Sequence, residues 1–209
     1  WQNFENYIKE NYIFCLQEID ARSSFRFHLD FRKKGYEFFF HPYGSTFNNY
    51  MGVAIAIPSN YEIINVDKYR LADGKNWACT KINYGFWGME WLKKLSWGYI
   101  DFTADKYYTY YRSSQRWNFM ISVTLKNKND SDQSFIVSTL HMPCAFRNPS
   151  TMLTYSALAM KRIQKLAKNE SIPYILAGDF NIKPSDQNLY NLLTTGQCDQ
   201  NEIEKDFPP

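Results

Sequence analysis

Four polar residues stand where apolar runs stop. Glu18 lies at the end of "CLQEI", His141 at the end of "STLHM", and Asp179 and Asn181 at the end of "YILAGDFN". A charged carboxylate at the exit of an apolar strand is costly unless it faces a cation, a donor or water. Residues i and i+2 of an extended chain point the same way, so Asp179 and Asn181 are expected to project together. Gly178 removes a side chain just before them, where something is expected to approach closely. Each residue alone has a plainer reading: Glu18 as a surface acid, His141 as a structural histidine, Asp179 and Asn181 as caps of the turn before Pro184. Three buried strands, each releasing a polar group at its C-terminal end, form a constellation that suits one chemistry. Mg²⁺ takes oxygen ligands, keeps several waters, and is often held by one or two carboxylates plus substrate phosphate. Glu18 could anchor the metal, and Asp179 could orient and deprotonate an attacking water. Asn181 could donate to phosphoryl oxygens, and protonated His141 could neutralise charge developing there. The chain has no serine or cysteine nucleophile motif and no Gly-x-x-x-x-Gly-Lys loop. One-step, metal-assisted hydrolysis of a phosphate ester is the economical reading, with Mn²⁺ as a second candidate metal.

The elements that must position these residues follow from periodicity. Residues 11–20, 36–42, 52–58, 61–71 and 172–181 read as strands. Residues 118–127 alternate well, with Phe119, Ile121, Val123 and Leu125 on one face. After the polar turn "NKNDSD", residues 134–142 return as an antiparallel partner. Residues 21–35 read as a helix with Phe25, Leu29 and Phe31 at helical spacing and Gly35 as its stop. Residues 148–170 read as a second helix, with Leu158, Ile163 and Leu166 inward and Ser150 or Thr151 as N-cap. Residues 184–196 read as a third, capped by Ser185 and ended by Gly196. Many strands with helices around them suggest an α/β layered sandwich.

The 209 residues suit one domain. A net charge of +3 permits a polyanionic partner without arguing for one. No apolar run is long enough to span a membrane. Cys15, Cys79, Cys144 and Cys198 form no Cys-x-x-Cys, which argues against zinc or a disulfide framework. Reduced cysteines and the lack of a signal-peptide pattern point to an intracellular, cytoplasmic setting. Residues 73–117 carry five of the six tryptophans, and read as an insertion. It either packs its own aromatic minicore or stacks bases beside Arg112 and Arg116, as single-stranded nucleic acid requires.

The order of "CLQEI", "GVAIAIP", "RWNFMISVTL", "STLHM" and "ILAGDFNIKPSDQNLYNLL" resembles the endonuclease/exonuclease/phosphatase superfamily, from about residue 11 to 196. The resemblance implies a DNase I-like four-layer α/β sandwich: two packed mixed sheets flanked by helices, with the site at one end. It implies Glu18 as the metal-binding glutamate, His141 near the scissile phosphate, Asp179 as the water-activating residue and Asn181 as its phosphate-contacting partner. Arg116 and Asn118 match substrate-side polar groups. The Gln-Glu, His-Met and "PSDQNLYNLL" patterns are most similar to the Angel, nocturnin and deadenylase branch, which acts on RNA ends or related nucleotide phosphates. The superfamily pattern also includes an Asn-bearing strand ahead of Trp1 and an Asp-His pair beyond Gly196. Residues 197–209 contain no His, so the expectation is a chain truncated at both ends, or a degenerate member.

The leading expectation is a Mg²⁺-dependent phosphodiesterase, a nuclease acting on RNA rather than DNA. One alternative is a phosphatase of small phosphomonoesters or phosphoinositides. The other is a catalytically dead binding module of the same fold. A nuclease should bind with strong salt dependence; a small-molecule phosphatase should not.

Overall fold

The chain runs through helix α1 (Gln2–Lys9), strand β1 (Phe14–Ile19), helix α2 (Ala21–Lys33), and strands β2 (Tyr36–Pro42), β3 (Gly52–Pro58) and β4 (Tyr61–Arg70). A short 3₁₀ turn, Leu71–Gly74, follows β4. Then come β5 (Phe119–Asn127), β6 (Ser134–His141), helix α3 (Pro149–Leu166), β7 (Tyr174–Asp179) and helix α4 (Gln187–Thr195). This computed structural model describes residues 2–46, 49–74, 113–129, 133–145, 149–168, 171–182 and 186–197. The tryptophan-rich stretch, including Arg112 and Trp77, Trp87, Trp91 and Trp97, falls mostly outside them.

Two sheets form. One has the order β1-β3-β2 and is antiparallel throughout the described residues; the other has the order β4-β5-β6-β7. Only the second is mixed: β4, β5 and β6 are antiparallel, and β6 and β7 are parallel. A parallel pair needs a long crossover, which α3 supplies.

Side-chain size along β3 explains how the layers stack. Val53, Ile55 and Ile57 face the second sheet and meet Ile121, Val123, Leu125 and Val137. Each such branched side chain, fully buried, contributes about 1.5–3 kcal/mol of transfer free energy. Ala54 and Ala56 face the other way, toward Phe14, Phe31, Tyr36, Phe38 and Ile8 of α1. Small residues there leave room for an aromatic cluster in which Phe14, Phe31 and Tyr36 sit with ring centroids 5.3–5.8 Å apart. Beyond the second sheet, Met120, Leu140 and Met142 pack against Met152, Tyr155 and Ala159 of α3 and Leu189 of α4. Helices, sheet, sheet and helices make the four expected layers. Arg162 clamps α3 onto β4: it pairs with Asp67 and lies 3.9 Å from the Tyr69 ring centroid.

Several local expectations change. Helix α1 lies ahead of every element read from the sequence, and β1 begins at Phe14 rather than residue 11. In α2, Phe31 is buried with Phe27 beside it, whereas Phe25 and Leu29 are exposed. Asp20 caps that helix, accepting from the Arg22 and Ser23 N–H groups. Helix α3 starts at Pro149, so Ser150 and Thr151 lie inside its first turn instead of capping it. Asp186, not Ser185, is the N-cap of α4, and Gly196 closes it in the left-handed region as expected. Of the three site-bearing strands, only β6 is interior. Both β1 and β7 are edge strands among the described residues, and Ile175 is exposed.

Candidate active site

Register brings two of the candidate residues together. In the parallel β6–β7 pair, Leu140 lies opposite Gly178 and His141 opposite Asp179. Gly178 has φ +141°, and a Cβ built on it would fall 2.0 Å from the Leu140 carbonyl oxygen. The close approach anticipated at Gly178 is therefore that of its neighbouring strand. It lets the Met142 N–H reach the Asp179 carbonyl at 2.8 Å, carrying the pairing one step past the strand end. The Asp179 carboxylate then lies 3.8 Å from Nε2 of His141.

Glu18 arrives from the other sheet. The pairing of β1 with β3 shifts register between Leu16 and Ile19, and Glu18, inside that bulge, has φ +57°. A bulge re-aims a side chain at a strand end. Gln17 in the same bulge donates to the Thr139 hydroxyl at 2.9 Å, tying β1 to β6 across the two sheets. Glu18 Oε1 comes within 4.0 Å of His141 Nε2.

The three side chains differ in their access to water. His141 is 4% exposed, while the Glu18 and Asp179 side chains are 64% and 50% exposed. Nε2 of His141 is buried and has no hydrogen-bond partner among the described residues, a costly condition for a polar atom. Its other nitrogen, Nδ1, is hydrogen-bonded to the Tyr43 hydroxyl, and the two rings meet edge to face, 5.6 Å apart.

Asn181 departs from the extended geometry expected of it. With φ +51° it turns back, donating its N–H to Asp179 Oδ1 at 2.8 Å and its Nδ2 to the Met142 carbonyl at 2.9 Å. Asn118 is buried, and its Nδ2 holds the His141 carbonyl at 2.8 Å, so it supports the histidine from behind. Arg116 is half-buried; its carbonyl accepts from Arg70 Nε at 3.0 Å, and its charge is felt by the buried Tyr155 phenol. Arg70 itself stacks 4.4 Å from the ring centroid of exposed Trp117. Arg112 lies outside the described residues. Glu18, His141, Asp179 and Asn181 are thus brought together, with Asn118 behind the histidine and the Arg116 backbone bonded to Arg70.

Tyr43 is the site residue that the sequence did not disclose. Burial, followed by the nearby negative charge of Glu18, pushes its phenol well above the ordinary range, so it stays protonated. No motif marks it: it simply follows the proline that ends β2.

No group of three candidate metal ligands gathers among the described residues. The donor set nonetheless fits a hard cation, because one or two carboxylates suffice when water and substrate oxygens complete the shell. The orphaned Nε2 beside them marks a place built for a further polar group.

Two sheets packed face to face, helices outside and a polar cluster where the strands end define the DNase I-like α/β fold. The chain belongs to the endonuclease/exonuclease/phosphatase family, whose model matches residues 2–207. Its members are hydrolases of phosphoester bonds. Among solved structures, the chain is similar to the human nocturnin catalytic domain with bound sulfate. The TM-score is 0.61 at 19% identity, covering 88% of this chain and 56% of that one. It is similar to ANGEL2, a 2',3'-cyclic phosphatase, in complex with adenosine-2',3'-vanadate, with TM-score 0.64, 17% identity and coverage of 95% and 49%. It is also similar to a mannosyl-6-phosphatase of Bacteroides thetaiotaomicron, with TM-score 0.59, 15% identity and coverage of 93% and 59%. The chain spans about half the length of these relatives. At such identities the likeness speaks for the fold. No curated protein matches the chain by sequence. No helix among the described residues is long and apolar enough to cross a membrane.

Proposed function

We propose that this chain carries the core of a Mg²⁺-dependent phosphodiesterase that acts on RNA ends. The observation that carries the reading is His141 Nε2: buried, without a hydrogen-bond partner among the described residues, and flanked by the Glu18 and Asp179 carboxylates at 4.0 and 3.8 Å. Glu18 would hold the cation, with Mn²⁺ as a substitute. A divalent ion bound there supplies positive charge to the phosphoryl oxygens. Asp179 orients a water and takes its proton as the water oxygen bonds to phosphorus; the P–O bond opposite breaks, and the leaving oxygen is protonated from solvent. Asn181 fixes Asp179 through its backbone N–H, and its amide has a second hydrogen beyond the one given to Met142, free for a phosphoryl oxygen. His141 donates from Nε2 to the same group. Arg116, Asn118 and Arg112 are proposed on the substrate side, with Asn118 acting through the His141 backbone.

ANGEL2, bound to an adenosine-2',3'-vanadate, supports a ribonucleotide end as substrate. The mannosyl-6-phosphatase favours a second reading, a small phosphomonoester. The test is hydrolysis of end-labelled RNA, the matching DNA and a sugar phosphate by metal-stripped protein, with and without added Mg²⁺, at two salt concentrations. RNA cleavage that needs Mg²⁺, is lost in Glu18→Gln and weakens steeply with salt is expected. Turnover of the sugar phosphate alone, insensitive to salt, would move the second reading to first place. Full RNA cleavage in chelator would remove the metal from the proposal.

A further inference from the structure

Tyr43 reaches His141 from the opposite sheet. Its backbone N–H is held by the Met51 carbonyl at 3.0 Å, and the Gly44 N–H bonds the same oxygen at 2.9 Å, so the turn after β2 is pinned to the chain entering β3. The ring packs among the residues between the sheets. Its phenol oxygen is hydrogen-bonded to Nδ1 of His141 and lies near the Glu18 backbone.

A phenol has one hydrogen to give. In the bond to Nδ1 it gives that hydrogen when Nδ1 is the bare nitrogen of the ring. A neutral imidazole that accepts at Nδ1 carries its hydrogen on Nε2. The other side of the ring decides which nitrogen is bare. Nε2 faces carboxylate oxygens of Glu18 and Asp179. An N–H there is attracted by both; a lone pair there would be repelled by both.

We infer that Tyr43 is the positioning residue of this site: donating to His141 Nδ1 from the turn after β2, it holds the imidazole as its Nε2–H tautomer with that N–H facing the two carboxylates. Tyr43 thereby ties the turn after β2 to the orientation of His141, joining the two sheets through one hydroxyl. The catalytic meaning of the tautomer, a fixed donor for a phosphoryl oxygen, rests on the proposed hydrolysis. The tautomer itself does not.

The test is ¹⁵N NMR of the full chain, labelled at histidine, metal-free and at a pH where imidazole is neutral. The chain has three histidines, so His28→Gln and His41→Gln assign the His141 signals. The expected wild-type spectrum shows a single Nε2–H tautomer for His141. Tyr43→Phe keeps the ring and its edge-to-face contact but removes the hydroxyl; it should give mixed tautomers and lower kcat about tenfold with KM nearly unchanged. An Nδ1–H tautomer in the wild type, or wild-type tautomer populations in Tyr43→Phe, overturns the inference. Should Tyr43→Phe not fold, the wild-type spectrum decides alone. A locked Nε2–H tautomer in a chain that hydrolyses no phosphoester upholds the inference and removes the proposed activity instead.

Discussion

Gly178 and Leu140 face each other across β6 and β7 with no room between them: a Cβ at residue 178 would meet the Leu140 carbonyl oxygen at 2.0 Å. The backbone at Gly178, φ +141°, is also one that other residues rarely adopt. Gly178→Ala should therefore push β7 off β6 and move Asp179, one residue on. A stability loss of about 2–4 kcal/mol is expected from strain and overpacking together. Urea denaturation measures it, and an unchanged midpoint would show that β7 has more freedom than this geometry allows.

Asp179→Asn separates the charge of Asp179 from its structural bond. The amide oxygen can still accept the Asn181 N–H, now at 2.8 Å, so stability should change by less than about 0.5 kcal/mol. Hydrolysis should fall roughly 10²–10⁴-fold if the carboxylate serves as base. Wild-type turnover in this variant would take Asp179 out of the mechanism.

Arg162→Ala tests the clamp between α3 and β4. It leaves Asp67 largely buried without its cation and exposes the face of Tyr69. A loss of about 2–3 kcal/mol is expected, below the usual range for a fully buried pair because both side chains retain some exposure. Thermal unfolding of Arg162→Ala, compared with the double variant Arg162→Ala/Asp67→Asn, reads it. The double variant should recover part of the loss.

Stability should also depend on His41. Its ring stacks on Phe119 at 3.7 Å, and its pKa is lowered from 6.5, chiefly by burial and further by Lys68. The folded chain then binds the proton less readily than the unfolded one. This contribution is fully present above about pH 6.5 and is lost as the pH falls through the depressed folded value. Asp20, held low by Ser23 and Arg22, acts in a separate window, below its ordinary 3.8. Denaturant midpoints between pH 7.5 and 5 should decline in the wild type and decline less in His41→Gln.

Thiol labelling distinguishes two cysteines of one chain. Burial pushes Cys15 up from 9.0 to about 11, which reduces its thiolate about 100-fold relative to an ordinary thiol at neutral pH. Cys144 is exposed. Peptide mapping after brief alkylation should find Cys144 modified and Cys15 intact; equal rates would contradict the packing around β1.

The sequence made some features plain because a strand or helix face declares itself locally. Ile121, Val123 and Leu125 alternate, and they do face the other sheet. Helix α2 was harder: Phe25, Phe27 and Phe31 offer two apolar faces, and the choice between them is made by Ala54 and Ala56 on a distant strand. An apolar run such as Tyr174–Ala177 predicts a strand but not how many neighbours it has, and β7 is an edge. Within the site, Glu18, His141 and Asp179 were legible because each interrupts an apolar run. The turn at Asn181 was not, since a left-handed φ leaves no mark in the pattern. Tyr43 was not legible either, because its partner is 98 positions away.

The carboxylates and the histidine are held by strands of unequal security. Glu18 and Asp179 ride on β1 and β7, each bonded along one side only among the described residues, whereas His141 ends the interior strand β6. Backbone amides near Glu18 and Asp179 should therefore exchange with solvent deuterium faster than those of β6, through local opening rather than global unfolding. A ligand gripping both acids would slow exchange at both strand ends together, although they lie near opposite ends of the chain. Correlated protection of these two edges is then a fingerprint of occupancy that needs no turnover to be seen.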